Sequence, residues 1–114
     1  MTITRHQQNN LMSRVVEYNG MVYLQGVTPD NNDGDITQQT KEVLAKIDQG
    51  LALAGSNKSK LLTCLIFLSD IGLRPAMNKV YEAWLDPKNK PTRACVGIQL
   101  EGKCMVEIIV TAAK

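Results

Sequence analysis

Arg93, Cys95 and Glu107 set a guanidinium, a thiol and a carboxylate within one short stretch of otherwise apolar, β-prone sequence. A guanidinium is a planar, two-pronged anchor for a carboxylate, and a nearby glutamate can position a water or partly deprotonate it. The thiol is the weaker candidate, because a cysteine nucleophile needs an activating partner and the chain holds a single histidine, His6, in its polar opening. That lone imidazole also leaves no His pair for a zinc site and no Ser-His or Cys-His couple. From spacing alone, the commoner outcome for Arg93 and Glu107 is an exposed cross-strand ion pair worth little, and for Cys95 a small buried side chain.

Whether the three groups can meet depends on the hairpin expected between Pro91–Ile98 and Cys104–Val110. A two-residue loop at Glu101-Gly102 sets Glu107 opposite Val96, whereas a three-residue loop at Leu100-Glu101-Gly102 sets it opposite Cys95. A slip of one residue exchanges the two faces. The three-residue register collects Ala94, Val96, Ile98 and Leu100 with Cys104, Val106, Ile108 and Val110 on one apolar face. It spares Glu107 an unpartnered burial and puts Gly102 at the left-handed position of the loop. Arg93, Cys95, Gly97, Gln99, Met105, Glu107, Ile109 and Thr111 then share the other face.

The elements that must carry this stretch are legible upstream. Ser13–Tyr18 and Met21–Gln25 are strands joined by Asn19-Gly20, a pair that accepts the positive φ angles of a type I′ turn. Thr28–Gly34 is a surface loop, and its Asp and Asn residues lack the twelfth-position glutamate of a calcium-binding loop. Asp35 can cap a helix of about twenty residues whose apolar stripe is Ile36, Val43, Leu44, Ile47, Leu51 and Ala54, with Gly55 as its stop. Leu61–Leu68 is apolar on both alternating sets, as a central strand covered on both faces would be. Pro75 opens a second helix, and Met77, Val80, Tyr81, Trp84 and Leu85 repeat at helical spacing, a pattern more typical of core packing than of a ligand box. The order is two strands, helix, strand, helix, two strands: an α+β fold with both helices on one face of a mixed sheet. The uncovered face is too apolar to be left in water and calls for self-association, with a ligand site where subunits meet.

The 114 residues fit one domain, 1–114, and a net charge of +2 from 13 basic and 11 acidic side chains announces no broad nucleic-acid surface. Three cysteines, Cys64, Cys95 and Cys104, each in an apolar run, suit a reducing compartment. No stretch approaches the roughly 18 apolar residues of a membrane span, and the opening lacks a signal-peptide core, so a cytoplasmic protein is expected.

The ordered set Asn19–Tyr23 with Gly26, Gly34-Asp35-Ile36 with Gln39-Thr40, Ala54-Gly55-Ser56, Ile66–Asp70, Ala76–Tyr81, Pro91–Val96 and Val106-Glu107-Ile108 resembles the Rid family of imine/enamine deaminases, the YjgF-like proteins. The resemblance spans nearly the whole chain. It implies a chorismate-mutase-like fold, β-β-α-β-α-β-β, and a homotrimer whose sheets form an inner barrel with three clefts between subunits. It also implies hydrolysis of 2-imino or 2-enamino acids to 2-keto acids and ammonia, with no metal and no organic cofactor. By resemblance Arg93 binds the substrate carboxylate and Glu107 holds water or ligand, while Cys95, Gly26, Asn78 and Ser13 line the cleft. The partners implied are thus a carboxylate-bearing small molecule and further copies of the chain, not nucleic acid or membrane. Three departures mark a divergent subgroup. Met12 replaces the family tyrosine before Ser13, Gln25 replaces the serine before the turn glycine, and the Cys95-to-Glu107 interval is one residue short. A binding or sensing protein using the same clefts without turnover is the alternative these departures leave open.

Overall fold

The computed structural model describes residues 2–114. The chain forms strands β1 (Thr4–Gln8), β2 (Ser13–Tyr18) and β3 (Met21–Leu24), helix α1 (Ile36–Leu53), strand β4 (Leu61–Leu68), helix α2 (Arg74–Trp84) and strands β5 (Thr92–Gly97) and β6 (Val106–Ala113). One mixed six-stranded sheet runs β1-β2-β3-β6-β4-β5 with both helices on one face, as the alternation of apolar residues requires. Among the described residues no helix is long and apolar enough to cross a membrane.

Local chemistry explains the elements. Asn19 and Gly20 take φ of 54° and 75°, the left-handed pair that lets β2 fold back on β3. The Asp35 carboxylate accepts the Gln38 N–H at 2.9 Å while the Gln38 side chain accepts the Asp35 N–H at 3.0 Å, a reciprocal cap that starts α1. Gly55, at φ 71°, stops it. Val15, Val22, Val43, Leu44, Ile47, Leu51, Ile66, Leu68, Met77, Val106, Ile108 and Val110 are buried between the helices and the sheet.

Two expectations from the sequence are corrected. First, Thr4–Gln8 is a strand, so the order opens with three strands and not two; its polar residues pair antiparallel with β2 at the sheet edge, where no apolar alternation is needed. Second, β5 and β6 do not form a hairpin. β4 lies between them, parallel to β5 and antiparallel to β6. A strand apolar on both sets gains most from a neighbour on each edge. The β4–α2–β5 crossover provides one parallel neighbour, and the segment after β5 passes the end of β4 to bring β6 to its other edge. Gly102 is left-handed, with φ 56°, but within a turn where the Cys104 N–H reaches the Glu101 carbonyl at 3.1 Å, not at a hairpin tip.

The change of partner changes the faces. Val106, Ile108 and Val110 of β6 face the helices and Glu107, Ile109 and Thr111 face away, as the alternation predicts. On β5 the assignment inverts: Arg93, Cys95 and Gly97 align with Cys64, Ile66 and Leu68 on the helix side, and Ala94 and Val96 turn to the open side. Met105 packs against the core and not on the open face. In the single chain β4 is covered only on its helix side, leaving Leu65 and Phe67 half-buried beside the exposed Tyr23, Val96 and Ile109.

Candidate functional site

Arg93 stands on the edge strand β5, turned toward α2. Asn78 and Tyr81, one turn apart on that helix, receive it: the guanidinium Nη1 donates to Asn78 Oδ1 at 2.7 Å, and its carbon lies 5.2 Å from the centre of the Tyr81 ring. Hydrogen bond and cation–π contact fix the plane of the fork. Among the described residues no carboxylate lies within ion-pair distance of Arg93, so its other N–H groups stay free for an external anion. The neighbours add no competing charge. Burial pushes the Cys64 thiol up to about 11 and raises the Tyr81 hydroxyl well above the usual phenol value, so both are neutral near pH 7. Cys95 is half-buried beside them and packs at the margin of the core.

Glu107 lies on the opposite face of the sheet, paired with Phe67 of β4. Its carboxylate rests against the backbone of Gly26, where any Cβ would overlap it. The approach is enforced by backbone bonds just beyond β3: Val27 and Ile108 exchange N–H to carbonyl bonds of 2.8 and 3.0 Å. Glu107 borders a cavity of about 310 Å³ that is also lined by Thr28, Asn32, Leu100, Glu101 and Gly102. Gln39 props the loops around it. Fully buried, its Nε2 donates to the carbonyls of Asn32, Gly34 and Lys103 at 3.0–3.2 Å and its Oε1 accepts the Met105 N–H at 2.8 Å.

The sequence-predicted residues therefore fall into three groups. Arg93, Cys95 and Asn78 come together on the helix side of β5, and Gly26 and Glu107 come together on the far face. Ser13 begins β2, separated from β5 by β3, β6 and β4, on the order of 19 Å at ordinary strand spacing. The expectation that Arg93, Cys95 and Glu107 share one uncovered face is overturned by the insertion of β4. Two further residues bear on these groups. Tyr81 packs in the core, as its helical spacing predicts, and its place three residues after Asn78 also puts both under one side chain on β5. Gln39 is a polar residue on the apolar stripe of α1, between Ile36 and Val43, which is itself a signal of an engaged buried amide.

Comparison with known proteins agrees with this architecture. A family model described as endoribonuclease L-PSP matches residues 2–114. The RutC family protein YoaB of Escherichia coli K12 is 42% identical over 114 residues, spanning 99% of each chain. A protein of Acinetobacter baylyi named 3-aminoacrylate deaminase RutC is 37% identical over 86 residues, 70% of this chain and 68% of its own. The crystal structure of a YjgF-family member from Neisseria meningitidis superposes with a TM-score of 0.96 at 38% identity, covering 100% of this chain and 96% of that one. With the mixed sheet, the one-sided helices and the ordered motifs all in agreement, the chain belongs to the endoribonuclease L-PSP family, the Rid or YjgF-like proteins.

Proposed function

We propose that the protein hydrolyses reactive 2-imino or 2-enamino acids to 2-keto acids and ammonia in the cytoplasm, in clefts between the subunits of a homotrimer. The observation that carries this reading is Arg93: a guanidinium aligned by Asn78 and Tyr81, with no internal carboxylate to satisfy it. Because Glu107 occupies the other face of the sheet, one chain cannot bring the two to one substrate. A cleft in which β5 of one subunit meets the Gly26–Glu107 face of the next does so.

In that cleft Arg93 binds the substrate carboxylate and so fixes the adjacent imine carbon. Glu107 orients a water and accepts its proton as the oxygen attacks that carbon. The C=N π pair moves to nitrogen, which is protonated, and the resulting aminoalcohol expels ammonia to leave the keto acid. The imine carbon is already electrophilic, so alignment and water delivery are sufficient without a covalent intermediate. The Acinetobacter relative, named for deamination of 3-aminoacrylate, supports the reaction class. The family description also names endoribonuclease activity; a net charge of +2 and an aromatic content of 4% weigh against an RNA surface here.

One observation favours a second reading. At the position of the family tyrosine stands Met12, 49% exposed and unable to act on a proton, which suits a protein that binds 2-keto or amino acids without turnover. An assay that generates short-lived imino acids in situ and follows keto-acid formation separates the two. Accelerated release by the native chain and none by Arg93→Ala supports the deaminase. Calorimetric binding of a 2-keto acid with no acceleration supports the binding protein, and activity unchanged in Arg93→Ala overturns both.

A further inference from the structure

A second concavity lies away from Arg93 and Glu107, between the outer sides of the two helices. Its volume, about 740 Å³, falls in the range of small-molecule sites, roughly 300–1,000 Å³. One wall is the α1 stripe Thr37, Lys41 and Leu44; the other is the α2 stripe Ala76, Lys79, Val80, Ala83 and Trp84. The floor is apolar.

The groove is polar in a single sense along its length. β3 and β4 are both antiparallel to β6 and therefore parallel to each other, and β4 is parallel to β5, so the intervening helices α1 and α2 run in the same direction. Their N-termini lie at one end, where the helix dipoles are positive. Neither first turn carries an acidic residue, and although Asp35 caps α1, no side chain caps α2. Lys41 and Lys79 stand on facing walls midway along the groove, and neither makes an ion pair among the described residues. The other end is closed by Trp84, whose indole N–H donates to Asp48 Oδ2 at 3.0 Å. Asp48 is thus engaged at the Trp84 end, where Lys58 Nζ also lies 5.4 Å from the centre of the Trp84 ring.

We propose that this groove is a binding site for an aryl-alkanoate: a monocarboxylate between Lys41 and Lys79, with its aromatic body laid over Val80 and Ala83 toward Trp84. From Lys79 to Trp84 the helix rises about 7.5 Å, the reach of a phenyl group on a chain of about three or four carbons. Charge complementarity selects the carboxylate, and the apolar floor and the Trp84 end select the ring.

Trp84 is the only tryptophan in the chain, so its fluorescence reports on the groove directly. Titration of the native protein with 4-phenylbutyrate should give a saturable change. 4-Phenylbutylamine and 4-phenylbutanol, with the same body and no anion, should bind at least about tenfold more weakly, as should 4-phenylbutyrate to the surface double variant Lys41→Ala/Lys79→Ala. Arg93→Ala should titrate as the native chain does, which separates this site from the proposed deaminase cleft. The proposal is overturned by a linear, non-saturating response, by equal binding of the amine or alcohol, by undiminished binding to the lysine double variant, or by loss of the signal in Arg93→Ala.

Discussion

Arg93 and Glu107 are each held by a neighbour that can be altered singly. Gly26 does not have a left-handed backbone, so Gly26→Ala is tolerated by the main chain, yet its Cβ would occupy the space of the Glu107 carboxylate. The flexible carboxylate swings aside. Stability should change by less than about 1 kcal/mol while imino-acid turnover falls at least about tenfold, as denaturant melts and the in situ assay would measure side by side. A different residue contributes to the response to acid. Lys114 and His6, at 2.7 and 2.5 Å from the two oxygens of Glu17, hold its carboxyl below the ordinary value of 4.5. A depressed folded-state pKa stabilises the fold above the unfolded value, and that contribution is lost as pH falls below 4.5 through the depressed one. Denaturant midpoints measured down this range should drop less steeply for Glu17→Gln than for the native chain.

At the scale of the elements, two adjacent residues of α1 make opposite predictions. Gln39 bonds to the segments on either side of the Glu107 cavity, and Gln39→Leu would strand three carbonyls and one N–H, at a cost of about 2–4 kcal/mol. Thr40 is equally buried but its hydroxyl has no partner, so the isosteric Thr40→Val should raise stability by about 1 kcal/mol. Thermal melts of the two variants should move in opposite directions. How much of this was legible follows the range of the forces involved. Asn19-Gly20, Asp35 and Gly55 act within a few residues, and the β2–β3 hairpin and α1 are where they place them. β1 was missed because an edge strand paired on one side needs no apolar alternation, and Thr4–Gln8 has none. The β5–β6 hairpin was misread because Gly102 reports a turn without reporting what lies between its arms. That one error of pairing inverted the face of Arg93 and left the grouping of the site residues illegible, while Arg93 itself remained the best anchor in the chain.

For the whole molecule, the open face of the sheet is the feature still to be satisfied: Tyr23, Val96 and Ile109 are 43%, 41% and 37% exposed beside half-buried Leu65 and Phe67. Self-association on this face, as proposed, makes a cross-subunit test available. Arg93→Ala and Glu107→Gln should each be inactive alone, but subunits unfolded together and refolded as mixed trimers should recover about a quarter of native activity. Three-quarters of random trimers are mixed, and each mixed ring holds one cleft with both native side chains. No recovery, with mixing verified by mass spectrometry, would rule out a shared cleft. The strand order has a further consequence in time. β6, the last strand along the chain, lies between β3 and β4 and joins β1-β2-β3 to β4-β5. A folding chain that has formed β1-β2-β3 and β4-β5 but has not yet docked β6 therefore carries two fragments, each with an inner edge of unpaired backbone bordered by apolar side chains. Only when β6 docks do both edges close. The chain is most open to aggregation just before that moment, and refolding yield should fall as protein concentration rises, by light scattering that grows before the native sheet signal does.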